Sequence, residues 1–249
     1  MISAVIITKN EEKMLADCLR SLVWANEILI VDTGNTDKTN AIAKKAGARI
    51  TKYTGPANFA QWRNKGLREA KGDWILYIDA DERITPELKD EIVKVIKEDK
   101  FSAYAVPRRN FIFGKEFRHC GQYPDYQKRL FKVSQIKKWT GKVHEQPDFE
   151  GGLGYLENPM LHIKHETLSE MIEKTNDWSE VEAKLMFEAH HPPMNIRRFL
   201  TAAFREFWLR MVRQAAFLDG GEGIIYAMYQ VFSRFVSYAK LWEMQITRK

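Results

Sequence analysis

A chain of 249 residues, 45% of them hydrophobic, has enough apolar material for one large α/β domain or for one domain with a helical addition. Its two cysteines, Cys18 and Cys120, lie far apart and form no CxxC pair, which excludes a disulfide framework or structural zinc site and fits a reduced, cytosolic setting. The net charge of +6 is concentrated late: from residue 193 to 249, seven Arg and two Lys against Glu206, Asp219, Glu222 and Glu243 leave +5.

The start, Met1 to Ile7, meets Lys9-Asn10-Glu11-Glu12 too soon for a signal peptide and reads as a first strand. No run approaches the roughly 18 apolar residues that span a bilayer. Residues 2–7, 27–32, 48–53 and 74–78 have strand character, and 11–22, 37–46, 59–70 and 86–98 have helical character. Thr36-Asp37 opens the second helix and Gly47 closes it, while Thr85 with Pro86 starts the fourth. That alternation predicts an α/β fold, a mostly parallel sheet with helices on both faces.

After Lys100 the pattern changes to shorter strands over 103–107, 111–117 and 127–133, with Gly114 in a turn. Gly151-Gly152-Leu153-Gly154 reads as a flexible turn, because no helix start follows to make it a phosphate loop. From Glu166 a polar helix runs to about Ala189, and His190-His191-Pro192-Pro193 breaks it. One apolar stripe then joins Ile196, Leu200, Ala203, Phe207, Met211 and Leu218, with Arg198, Arg205 and Arg213 largely opposite. A second joins Ile224, Met228, Val231, Phe235, Ala239 and Trp242. These helices carry no glycine-rich or aromatic RNA-binding motif, so the basic excess points to an anionic membrane surface and not to nucleic acid. A plain helical hairpin packed on the domain is the other reading.

The densest chemical signal is Trp74-Ile75-Leu76-Tyr77-Ile78 running into Asp79-Ala80-Asp81-Glu82, a buried strand that ends in three carboxylates. Ligands of open α/β sheets bind beyond the strand ends. With the backbone extended, Asp79 and Asp81 converge on one hard cation, Mg²⁺ or Mn²⁺. Thr8, Asp32 and Arg63 supply further polar groups near the same sheet edge, Asp32 for a base or ribose and Arg63 for phosphate or pyrimidine oxygen. Glu82 has no evident role.

The set Ile7-Thr8-Lys9-Asn10-Glu11-Glu12, Val31-Asp32-Thr33-Gly34-Asn35-Thr36-Asp37, Arg63-Asn64 and Trp74 to Glu82 resembles family 2 inverting glycosyltransferases of the GT-A fold, with Asn35 where Ser is commoner. The resemblance covers about residues 1–165. It implies that Thr8, Glu11, Asp32 and Arg63 bind the nucleotide and that Asp79 and Asp81 form a DXD-type metal and diphosphate motif. Tyr126 to Phe131, Gly141-Lys142-Val143-His144-Glu145 and Leu161-His162 resemble the lipopolysaccharide core β-glucosyltransferase-like branch.

Glu145 follows a strand in a loop-like stretch where a general base faces an acceptor hydroxyl, with Asp125 the competing base. His144-Glu145 is not a zinc HExxH site, since position 148 is Asp. By the same resemblance His162, or His165 in its place, reaches the metal or diphosphate, and Arg129 clamps a diphosphate or acceptor phosphate. The expected organisation is a catalytic domain over 1–165, with a nucleotide-sugar half to about 100 and an acceptor half from about 101, then a helical region over 166–249. The expected reaction moves a sugar from a UDP-sugar to a lipid-linked or envelope glycan, such as lipopolysaccharide core, at the inner face of the membrane. A sugar nucleotidyltransferase would need a glycine-rich phosphate loop after the first strand, and Thr8-Lys9-Asn10-Glu11 is not one. A non-catalytic membrane-surface scaffold would have no use for Asp32, Asp79, Asp81 and Glu145 together.

Overall fold

Four strands form the parallel part of the sheet: β1 (Ile2–Thr8), β2 (Glu27–Asp32), β3 (Arg49–Lys52) and β4 (Trp74–Asp79), in the order β3-β2-β1-β4. The computed structural model describes residues 1–55, 58–141, 145–165 and 167–247. The chain divides into two units, one of Met1–Arg108 with Asp125–His162 and the other of Arg109–Pro124 with Ile163–Lys249. The stretch Arg109–Pro124, read from sequence as part of the acceptor half, is thus grouped with the helices.

In the first unit β1, β4 and most of β2 are buried on both faces, as their apolar runs require, whereas the edge strand β3 is half-exposed. On one face Ile6, Ile30, Leu76 and Ile78 pack with Leu15 and Leu19 of α1 (Leu15–Arg20) and with Leu88 and Ile92 of α4 (Pro86–Glu98). On the other, Val5, Leu29, Val31, Ile75 and Tyr77 pack with Ala60 of α3 (Phe59–Glu69). Helix α2 (Thr39–Lys45) buries Thr39 and Ala43. Gly66 sets the depth of α3, because a Cβ there would stand 2.5 Å from Val5 Cγ1.

Thr85 caps α4 by accepting from the Leu88 N–H at 3.2 Å, with Pro86 in its first turn. The first helix starts at Leu15 and not at Glu11. The backbone N–H groups of Glu11 and Glu12 donate to Thr39 Oγ1 and Asp37 Oδ2, at 2.7 and 3.1 Å, so this turn is tied to the start of α2.

The later strands are β5 (Glu82–Arg83), β6 (Ala103–Ile112), β7 (Lys115–Phe117), β8 (Asp125–Lys132), β9 (Ile136–Thr140), β10 (Gln146–Phe149), β11 (Leu153–Tyr155) and β12 (Met160–His165). Strand β8 joins β4 and β6 antiparallel, so the sheet is mixed, with its parallel part over β3-β2-β1-β4. The glycine-rich stretch is more than a turn: Leu153–Tyr155 pairs parallel with Ala103–Ala105. Its glycines serve close packing, since a Cβ on Gly154 would meet the Tyr104 ring at 2.6 Å.

In the second unit, α5 (Leu168–Glu188), α6 (Ile196–Phe207) and α7 (Gly220–Thr247) bury Ala183, Met194 and Leu241 with Phe187, Phe199 and Tyr238. Thr167 and Asn195 cap α5 and α6 through Glu170 and Arg198 N–H groups. A π-helical turn, Trp208–Arg213, and a short 3₁₀ turn, Ala216–Asp219, lead into α7. The buried side of α6 is Ala202 and Glu206 with Phe199, whereas Ile196 and Leu200 of the expected stripe are exposed. In α7, Ile224, Met228, Phe235 and Trp242 are likewise exposed, and Gly223, Tyr226, Ala227, Ser237 and Leu241 pack inward. Among the described residues, no helix is long and apolar enough to cross a membrane.

Candidate active site

The sheet register brings the sequence-predicted residues to one level. Thr8 lies opposite Asp32 across β1 and β2, and Ile7 opposite Asp79 across β1 and β4, so three parallel strands end together in polar groups. Thr8 is 1% exposed and Asp32 4% exposed, so neither is an ordinary surface residue. Asp32 Oδ1 accepts from the Gly34 and Asn35 N–H groups at 2.9 and 2.7 Å, and its Oδ2 accepts from Asn40 Nδ2 at 2.8 Å. Gly34 sits at φ +117°, which leaves the turn to glycine. Asn35 donates to Thr8 Oγ1 at 2.8 Å and to Asn40 Oδ1 at 3.1 Å, and its own Oδ1 accepts from the Asn10 N–H at 2.8 Å. An Asn here joins the end of β1, through Thr8 and Asn10, to Asn40 in α2, a reach that Ser lacks.

Burial raises the Asp32 carboxyl, but the hydrogen bonds from Asn35, Asn40 and Gly34 outweigh it and hold the group below its ordinary value. Glu27, at the other end of β2, is also raised by burial and lowered more by Ser3, Lys71 N–H and Arg49. A depressed carboxyl stabilises the fold above its unfolded pKa, and that stabilisation is lost as pH falls through the folded value. The urea midpoint should therefore hold level from pH 7 to about 5 and fall below about 4. A midpoint unchanged at about pH 3 would contradict the assignment.

Beside this loop lies a cluster of charges. Arg63, on the buried side of α3, donates from Nε to Glu145 Oε1 at 2.9 Å and stands 3.8 Å from Asp79 Oδ1. Its guanidinium lies 4.8 Å from the Trp139 ring centroid and 5.4 Å from that of Tyr77. Arg129, from β8, pairs with Asp79 and, at 2.6 Å, with Glu82. Burial lowers the Arg129 guanidinium's pKa, but Asp79 and Glu82 outweigh it and the net shift is upward. Asp79 is raised by burial and lowered more by Arg129 and then Arg63, so it stays ionised.

Glu82 is the residue that sequence reading left unassigned. It is fully buried and accepts from the Asp79 N–H at 2.9 Å, Arg129 at 2.6 Å and Arg108 at 3.3 Å. Arg108 in turn pairs with Asp125 at 2.6 Å, and Gln127 donates to the same carboxylate at 2.7 Å. The local signal was the third acid of the motif; its partners come from β6 and β8.

Strand β4 ends at Asp79, and the chain turns at Ala80-Asp81. The two aspartates therefore face different partners, Asp79 the arginines and Asp81 His162, whose Nε2 lies 3.4 Å from Asp81 Oδ2. That spacing is close to the roughly 3 Å between neighbouring ligands of an octahedral ion with bonds near 2.1 Å, and carboxylate with imidazole suits Mn²⁺ or Mg²⁺. Among the described residues no three metal-binding side chains cluster, so remaining ligands would come from a bound diphosphate or water. The pair Asp81 and His162 fits such an ion, with Asp79 adjacent and engaged by Arg129.

A cavity of about 180 Å³ is lined by Arg63, Arg129, Trp139 and Glu145 among others. The buried Arg129 Nε has no hydrogen-bond partner there. Arg129 brings a guanidinium to this wall, and such a group suits an anion. Glu11 is half-buried at the Thr8 loop, and His165 falls in the second unit. Lys142, Val143 and His144, which precede Glu145 in its motif, lie outside the described residues.

The family model described as glycosyl transferase family 2 matches residues 3–152. An uncharacterized glycosyltransferase of Rickettsia bellii (strain RML369-C) is 29% identical over 98% of this chain and 87% of its own length. The lipopolysaccharide core biosynthesis glycosyltransferase LpsC of Rhizobium meliloti (strain 1021) is 29% identical over 97% of this chain and 92% of its own. Among solved structures, S. aureus TarS 1–349 in complex with UDP aligns over 100% of this chain and 92% of its own, with a TM-score of 0.50 and 14% identity, a likeness of fold.

Proposed function

The chain belongs to glycosyl transferase family 2, and on that premise we propose that it moves a sugar, with inversion, from a nucleoside diphosphate sugar, a UDP-sugar first of all, to a hydroxyl of a lipid-linked or cell-envelope glycan such as lipopolysaccharide core. The observation that carries this reading is the convergence of Arg63 and Arg129 on Asp79 at the end of β4, with Asp81 and His162 beside them. Arg129, which lines the cavity, binds the diphosphate. Arg63, packed against Tyr77 and Trp139, takes phosphate or pyrimidine oxygen, and Thr8, Glu11 and Asp32 hold the nucleoside. Asp81 and His162, with Asp79 in support, would hold Mg²⁺ or Mn²⁺, which when bound supplies positive charge against the leaving diphosphate.

Glu145 lines the cavity and is our candidate base for the acceptor hydroxyl. Asp125 is the second reading, favoured by its link through Arg108 to Glu82 beside Asp79. For the acceptor, support comes from LpsC, whose name assigns lipopolysaccharide core biosynthesis to that protein and whose likeness runs over 97% of this chain. An anionic membrane surface meeting residues 193–249, on the cytoplasmic side, would bring the enzyme to such an acceptor.

A thermal-shift panel tests the donor assignment. A UDP-sugar at about 100 times its Kd should add about 2.7 kcal/mol and raise Tm by roughly 5–11 °C. The rise should need Mg²⁺ or Mn²⁺, and Asp81→Ala should remove the metal-dependent part. A panel in which no nucleotide sugar shifts Tm with either ion would defeat the donor assignment.

A further inference from the structure

The helical unit exposes two apolar faces, and their charges differ. On α6 and the turn after it, Ile196, Leu200, Phe204 and Trp208 follow at four-residue intervals and are 74, 64, 66 and 53% exposed. Such a ridge of large side chains is not a solvated helix face. Arg197, Arg198 and Arg205 stand exposed around it, and the one carboxylate of the helix, Glu206, is buried and paired with Arg210 at 2.8 Å. Phe199, Ala202 and Glu206 face the packed side, where Phe199 meets Phe235. The helix therefore has a packed side, an open apolar side and an arginine side.

The second face lies between α5 and α7, where Leu168, Ile172, Ile225, Met228 and Phe232 line a cavity of about 380 Å³. Helix α5 carries Glu170, Glu173, Asp177, Glu180, Glu182 and Glu188 against Lys174 and Lys184, and although Lys174 pairs with Glu170 and Lys240 with Glu180, the helix keeps an acidic excess.

We propose that α6 is an interfacial helix: the Ile196-Leu200-Phe204-Trp208 ridge enters the acyl boundary of an anionic bilayer while Arg197, Arg198 and Arg205 meet its phosphates. The inference rests on the membrane reading given above and assigns it to α6 and not to α7. Apolar insertion and headgroup attraction each supply part of the binding, and only the α6 face has the sign of charge that an anionic surface attracts. Trp208 is placed as an aromatic that sits at headgroup level.

Co-sedimentation of the full chain with phosphatidylcholine vesicles, with and without phosphatidylglycerol, tests this. Wild type should sediment with the anionic vesicles. Leu200→Glu with Phe204→Glu should weaken that binding more than about a hundredfold, and each of Arg197→Gln, Arg198→Gln and Arg205→Gln by about fivefold. Ile225→Glu with Phe232→Glu, on the acidic face, should bind as wild type does. Circular dichroism shows that each variant remains helical before it is compared. If wild type fails to sediment, the membrane reading falls and this inference with it. If wild type binds but the α6 double variant binds equally, or the α5/α7 variant alone loses binding, only the α6 assignment is overturned.

Discussion

Glu82→Ala should destabilise the first unit by about 3–5 kcal/mol, because it removes the acceptor from a buried ionic cluster and leaves its cations behind. Arg129 is 4% exposed and would keep Asp79 as its one remaining carboxylate partner, while the Asp79 N–H would lose its acceptor. At about 2–4 °C per kcal/mol the melting temperature falls by roughly 6–20 °C. Glu82→Gln keeps the shape and an acceptor oxygen, so its cost should be smaller, about 1–3 kcal/mol. The exposed Lys94–Glu98 pair, 3.9 Å apart, is the control, since Glu98→Ala should cost about 0–1 kcal/mol. Calorimetry of all three decides the matter. A Glu82→Ala protein within about 1 kcal/mol of wild type would mean that water already serves this cluster.

The strand ending in Asp79 was legible because a buried parallel strand has a continuous apolar run, and charge placed at its end stands out. Thr8, Asp32 and Asp79 then align because parallel pairing fixes a common register, so a sequence that reveals strand ends also reveals a site. Glu82 was opaque because its partners, Arg108 and Arg129, lie 26 and 47 residues away on strands whose pairing no local pattern states. The convergence of Asp79 and Asp81 was read on condition that the backbone stays extended, and the chain turns after Asp79. The strands β9 to β12 were missed because their polar and half-exposed residues interrupt any apolar run. Periodicity located the apolar side of α6, but contacts such as Phe199 with Phe235 decide which part of it is covered.

Glu145→Gln should lower kcat by about 10²- to 10⁴-fold, the span that a positioned general base contributes. Donor affinity, measured by calorimetry, should stay within about threefold, because Gln retains an oxygen for the Arg63 Nε now bonded to Glu145 at 2.9 Å. The comparison that gives the result meaning is Asp125→Asn. Asp125 holds Arg108 at 2.6 Å and accepts from Gln127 at 2.7 Å, so both of its oxygens are engaged, whereas Glu145 borders the cavity. Asn in its place should cost stability and leave most of the turnover. If Asp125→Asn abolishes transfer while Glu145→Gln does not, Asp125 is the base, and the carboxylate beside Arg63 serves the nucleotide. If Glu145→Gln lowers donor affinity as steeply as kcat, its work is to hold Arg63 in place. A loss confined to kcat leaves proton removal from the acceptor as its task, since only a step after donor binding has then been slowed.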